Sequence, residues 1–177
     1  MSQINTDKIA SNSGGTTALT IADDGRVAVT GVLTASSITQ NAGPAFSAYQ
    51  SSGQTLSTNT FTKIQFQTEE FDTNSNYDAA TNYRFTPNVA GYYKISASLS
   101  LNASNAGINL TIYKNGSLFK RLQNTYNTTT FAASGSVLIY FNGSTDYAEV
   151  YSQTSTGQLL EASLAATWFQ GILVRAA

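Results

Sequence analysis

The sequence predicts an all-β protein, a sandwich or jelly roll preceded by a short N-terminal segment. Three observations carry that expectation: composition, strand-length runs of alternating apolar residues, and Asn-Gly or Asp-Gly pairs between those runs. The 177 residues are 41% hydrophobic but only 11% charged, well under the roughly 25% of ordinary soluble domains. Asn, Ser and Thr supply the polarity, and they suit strands and turns better than long helices.

Residues 1–42 contain no aromatic residue, whereas the remainder holds all ten Tyr, nine Phe and the single Trp. Leu19 and Ile21, then Asp24-Gly25, then Val27 and Val29 give the alternation and turn of a β-hairpin. Two strands bury too little to fold alone, so this segment is expected to act as an anchor needing a platform. Residues 11–15 and 36–43 read as connectors. The boundary is placed at 42/43, with a knob over 43–177.

In the knob, Ala45 to Gln50 is a short first strand carrying Phe46 and Tyr49. Phe61 to Gln67 alternates through Ile64 and Phe66, and Asp72 to Asn82 is expected to be a loop. Tyr83 and Phe85 open a strand that Pro87 closes. Tyr93, Ile95, Ala97, Leu99 and Leu101 alternate with serines, the pattern of a strand with one face buried. Ile108 to Ile112 is turned by Asn115-Gly116 into Leu118 to Leu122. Val137 to Phe141 is turned by Asn142-Gly143 into Tyr147 to Tyr151, and Trp168 to Val174 is the last strand. Alternation requires one of Trp168 and Phe169 to face outward.

These strands contain segments that resemble a known family. Gly43-Pro44-Ala45-Phe46-Ser47-Ala48-Tyr49 is similar to the opening of C1q-type domains. Phe85 followed by Gly91-Tyr92-Tyr93 resembles their central signature. Gly143, Asp146 and Glu149-Val150 resemble their late turn and strand, and Trp168-Phe169-Gln170-Gly171-Ile172-Leu173 their closing strand. The four segments keep the family's order. One extra residue between Thr81 and Phe85, and Ile95 in place of an aromatic, mark a distant member. The resemblance implies a ten-stranded C1q/TNF-like jelly roll that assembles as a homotrimer. Residues 1–42 lack a collagen-like repeat and instead resemble N-terminal pieces of bacteriophage structural proteins.

Several function classes are disfavoured. Net charge is −1 with scattered signs, so neither nucleic acid nor an anionic membrane is an expected partner. With no His and no Cys, the commonest general base, metal ligand and thiol nucleophile are missing, and no enzymatic activity and no cofactor are expected. The opening residues lack an apolar signal core, so a cytoplasmic origin without a cleaved leader is expected. Glu69, Glu70 and Asp72 form the densest acidic cluster, a candidate for Ca²⁺ set against a solvated turn. Glu149 and Glu161 fall on separate segments, with nothing to pair them as glycosidase carboxylates. Tyr126, Tyr147 and Tyr151 offer a sugar- or protein-binding face, set against packing between sheets or subunits. Candidates for the core or the trimer contact are Phe46, Tyr49, Phe85, Tyr93, Tyr151, Trp168 and Phe169.

The expected function is that of a non-enzymatic virion protein of a bacteriophage: a trimeric capsid decoration, or cement, protein held to the capsid shell by residues 1–42. The alternatives are a short tail fibre or receptor-binding tip recognising a host surface glycan or protein, and a cellular C1q/TNF-like ligand.

Overall fold

The computed structural model describes residues 8–10, 17–21, 27–29, 43–103, 106–125 and 131–177. Three strands precede the knob: β1 (Lys8–Ala10), β2 (Thr17–Ile21) and β3 (Val27–Val29). Thirteen follow: β4 (Ala45–Tyr49), β5 (Thr55–Leu56), β6 (Thr62–Lys63), β7 (Thr68–Asp72), β8 (Tyr77–Asp78), β9 (Arg84–Phe85), β10 (Ala90–Ser100), β11 (Ile108–Lys114), β12 (Ser117–Thr125), β13 (Ala132–Asn142), β14 (Ala148–Thr154), β15 (Gln158–Leu159) and β16 (Trp168–Ala176). The chain divides into two compact units, Met1–Asn41 and Ala42–Ala177.

In the N-terminal unit β2 pairs antiparallel with β3, Leu19 opposite Val29 and Ile21 opposite Val27. The alternation predicts only these two strands; β1 adds a third on the other edge of β2. The Asp24-Gly25 turn lies outside the described residues.

The knob is a sandwich of two antiparallel sheets. One runs β13-β10-β16-β4-β7; the other runs β12-β11-β14-β9-β8, with β6 also on β14. β10 is central because its alternation places Tyr93, Ile95, Ala97 and Leu99 in the core with no exposed surface. Ile108, Leu110 and Ile112 of β11 and Val150 of β14 meet them from the opposite sheet. Phe46, Phe66, Phe85 and Phe169 fill the middle. Phe46 stacks on Phe85 at 4.3 Å and meets Phe169 edge-on at 4.9 Å, arrangements favoured by the ring quadrupole.

β4 and β16 are antiparallel neighbours. The Leu173 amide donates to the Pro44 carbonyl at 2.9 Å and the Ala177 amide to Ala90 at 3.0 Å, so the chain enters and leaves the knob at one pole.

Four details differ from the sequence reading. Among its described residues the knob has thirteen strands where ten are expected, and five of them (β5, β6, β8, β9 and β15) are two-residue pieces. Of Phe61 to Gln67 only β6 is strand. Ile64 and Phe66 are still fully buried: the Ile64 amide donates to the Val150 carbonyl of β14 at 2.9 Å, and the Gln54 side chain donates to the Lys63 carbonyl at 2.8 Å and accepts from the Gln65 amide at 2.9 Å. The expected loop from Asp72 to Asn82 contains β8, which pairs with β9. Asn142-Gly143 is a corner between the sheets and not a hairpin turn, since β13 pairs with β10 and β14 with β11. The Asn142 side chain closes that corner by accepting the amides of Ser144, Thr145 and Asp146, each at 3.0 Å. The Asn115-Gly116 turn does join β11 to β12, with the positive φ of 53° and 76° that such hairpins need.

Candidate functional site

The expected aromatic residues divide by face. Phe46, Phe85, Tyr93 and Phe169 are core, at most 1% exposed. Trp168 faces outward beside its cross-strand partner Tyr49 on the five-stranded sheet, both half-buried. Tyr151 faces outward from the other sheet, its ring stacked on Tyr113 at 4.0 Å. Tyr147 packs under the Arg84 guanidinium at 4.4 Å, and Tyr126 lies outside the described residues.

The sequence reading missed the outer face of the five-stranded sheet. Phe71, Tyr92, Leu138, Tyr140, Ile172 and Val174 are each 41–66% exposed, and all six stand on its strands β7, β10, β13 and β16. Register puts Leu138, Lys94, Ile172 and Ala45 in one row. The next row is Ser136, Ser96, Gln170, Ser47 and Phe71. Tyr92 and Tyr140 pair at 5.4 Å. Between Phe71, Lys94, Gln170 and Ile172 the face is indented by a cavity of about 320 Å³. Large apolar side chains gathered on one sheet face mark an interaction surface, whereas scattered ones do not. The signal was legible in the apolar run Val137–Phe141, in Tyr92-Tyr93 and in Ile172-Leu173-Val174.

The acidic cluster is occupied locally. Asp72 accepts the amides of Asn74, Asn76 and Tyr77 at 3.1, 2.6 and 2.6 Å. Glu70 accepts the Ser47 hydroxyl at 2.6 Å. Burial raises the Glu69 carboxyl above its ordinary value, with Asp72 and Asp78 adding to the rise. Asp78 is held down at about 2, chiefly by the Thr81 amide, with Asn82 and Ala80 also donating. Among the described residues no three carboxylates come together as a metal site. Glu149 pairs with Lys63 at 2.6 Å and Glu161 accepts the Ser100 hydroxyl at 2.8 Å, so each has a partner of its own.

Two packed antiparallel sheets with this strand order define a jelly-roll sandwich of the C1q/TNF type. The chain belongs to the C1q domain family, which matches residues 45–174. The globular domain of zebrafish complement 1qA protein superposes with a TM-score of 0.57 at 16% identity, covering 76% of this chain and 99% of that one. Murine APRIL gives 0.54 at 10% identity, covering 74% and 98%. Eiger TNF from S. frugiperda gives 0.54 at 10%, covering 76% and 95%. No curated protein sequence matches the chain.

Proposed function

We propose that the protein is a non-enzymatic, homotrimeric virion surface protein of a bacteriophage. The knob associates through the outer face of its five-stranded sheet, and the N-terminal unit anchors it to the capsid shell as a decoration protein. The observation that carries the trimer is the cluster of large apolar side chains on that face, Tyr92, Leu138, Tyr140 and Ile172 among them. Association removes them from water, at about 25 cal/mol per Å² of apolar surface, and a closed ring leaves no such face open. The anchor reading rests on the separate N-terminal unit, whose three short strands leave sheet edges that another chain can extend. Sedimentation equilibrium of the full chain tests assembly: a mass three times 18.8 kDa is expected, and a monomer overturns the trimer. Immunogold labelling of the parent particles tests placement. Label over the head fits decoration; label confined to the tail replaces it with the fibre tip; unlabelled particles remove both.

A further inference from the structure

Asn109 of β11 lies between Asn124 of β12 and Gln153 of β14, in register with both. Three adjacent strands therefore set three carboxamides side by side on the outer face of the six-stranded sheet. Together with Asn59, Gly107 and Ser155 they line a cavity of about 110 Å³. Asn59 is fixed there by its amide, which donates to the Thr154 carbonyl at 2.8 Å, and by a left-handed φ of 54°, which Asn tolerates.

Asn109 is 9% exposed and its Oδ1 has no hydrogen-bond partner. A buried carbonyl oxygen left unpaired is unfavourable unless a donor reaches it. The neighbouring hydroxyl of Ser155 is already engaged, accepting the Gly107 amide at 2.7 Å. What the cavity offers a ligand is thus carboxamide chemistry, with donor and acceptor in one plane at each residue.

Among the described residues no ionisable side chain lines the cavity. Farther along the same face, Lys63 and Glu149 neutralise each other at 2.6 Å, and Arg121 stands one row away, opposite Thr111. An anion would find no cation in the lining, and a divalent metal no carboxylate. An apolar ligand would leave the Asn109 Oδ1 unpaired. Two residues before Gln153, on the same face of β14, the half-buried Tyr151 ring is held flat against Tyr113 at 4.0 Å and 22°. Planar amides beside a fixed aromatic ring match a molecule with hydroxyls on its edge and C–H groups on its face. A volume of about 110 Å³ equals three or four waters at about 30 Å³ each, enough for the hydroxyl edge of one ring.

We propose that this cleft binds the edge of a neutral sugar ring, with Asn109, Asn124 and Gln153 pairing its hydroxyls and Tyr151 supporting its face. The site belongs to a single knob and depends on neither the trimer nor the virion placement.

The test follows the side-chain amide resonances of isotope-labelled full-length protein during titration with methyl glucoside, methyl mannoside, methyl galactoside and N-acetylglucosamine. Glycerol serves as the control. At least one sugar should shift the Asn109, Asn124 and Gln153 resonances saturably, with a dissociation constant on the order of millimolar. Asn124→Ala and Gln153→Ala should each weaken that binding about three- to tenfold, the share of one hydrogen bond, with the melting temperature unchanged. The proposal is overturned by no saturable shift with any sugar, by shifts confined to other residues, by an equal response to glycerol, or by variants that bind as the parent does.

Discussion

Replacing both Leu138 and Ile172 by lysine separates the stability of the knob from its assembly. The two residues flank Lys94 in register, one on β13 and one on β16. The double variant therefore lines up three ammonium groups across adjacent strands of the outer face. Within one copy the cost is small. Leu138 and Ile172 are already 66% and 53% exposed, so little burial is lost. Two like charges about 5 Å apart in water repel by about 0.8 kcal/mol, and salt and the reach of the lysine stems reduce this further. The total is about 1 kcal/mol for the isolated fold. Across an assembled face the same change is severe. Every copy must desolvate two new charges, each costing several kcal/mol when no partner is supplied. Sedimentation velocity at tens of micromolar reads the outcome, since a penalty of this size shifts association by many orders of magnitude. The parent should run as a trimer and the double variant as an 18.8 kDa monomer with an unchanged far-ultraviolet spectrum. Leu118→Lys with Leu159→Lys, exposed positions off this sheet, should remain trimeric. A double variant that stays trimeric, or a control that dissociates, refutes the assignment of the face.

Phe169→Ala removes the ring that Phe46, Phe66 and Tyr77 surround at 4.9, 5.6 and 6.0 Å; urea denaturation should show a loss of about 3–5 kcal/mol, and less than 1 would mean that the cluster refills the space. Gly143→Ala combines a φ of 72° with a Cβ that would collide with the Ala90 backbone nitrogen, so a loss of at least about 2 kcal/mol is expected in the same assay. Asp78 contributes through a carboxyl held at about 2, below its usual 3.8. That contribution is present above the unfolded value and is lost as pH falls through the folded one. Asp78→Ala should accordingly cost about 1 kcal/mol at neutral pH, allowing for solvent screening of a surface turn, and its difference from the parent should close near pH 2. Burial pushes the Tyr93 hydroxyl up from 10.0 to about 12, and Tyr77 is raised chiefly by burial as well. Stability is then full below pH 10 and falls as pH rises toward 12, and ultraviolet titration should leave these two tyrosines protonated until the fold opens.

Much of the sandwich could be read from side-chain alternation because burial imposes a period of two on any strand with one wet face. Tyr93 through Leu99 and Ile108 through Ile112 show that rule acting alone. Ile64 and Phe66 obeyed it in burial, while the Lys63 carbonyl and the Gln65 amide beside them take the side chain of Gln54 as partner in place of a strand. Such substitution depends on tertiary approach and leaves no local mark. Asn142-Gly143 has the composition of a hairpin turn, yet the strand after it crosses to the other sheet. Turn chemistry specifies a local bend, whereas strand pairing decides which sheet receives the chain. The candidate sites were less legible. The apolar outer face was visible in Val137–Phe141 only as excess hydrophobicity. The carboxamide row needs the register of three strands, which brings Asn109, Asn124 and Gln153 together from separate segments.

The antiparallel pairing of β4 with β16 has a consequence for engineering the molecule. Because Pro44 and Leu173 share a backbone hydrogen bond, the first and last strands of the knob can be joined by a short linker and the chain reopened elsewhere, the arrangement that favours circular permutation. A peptide appended after Ala177 would emerge from the pole where the polypeptide enters at Pro44. Cargo intended for the opposite pole would instead have to be inserted at a loop such as the one between β15 and β16.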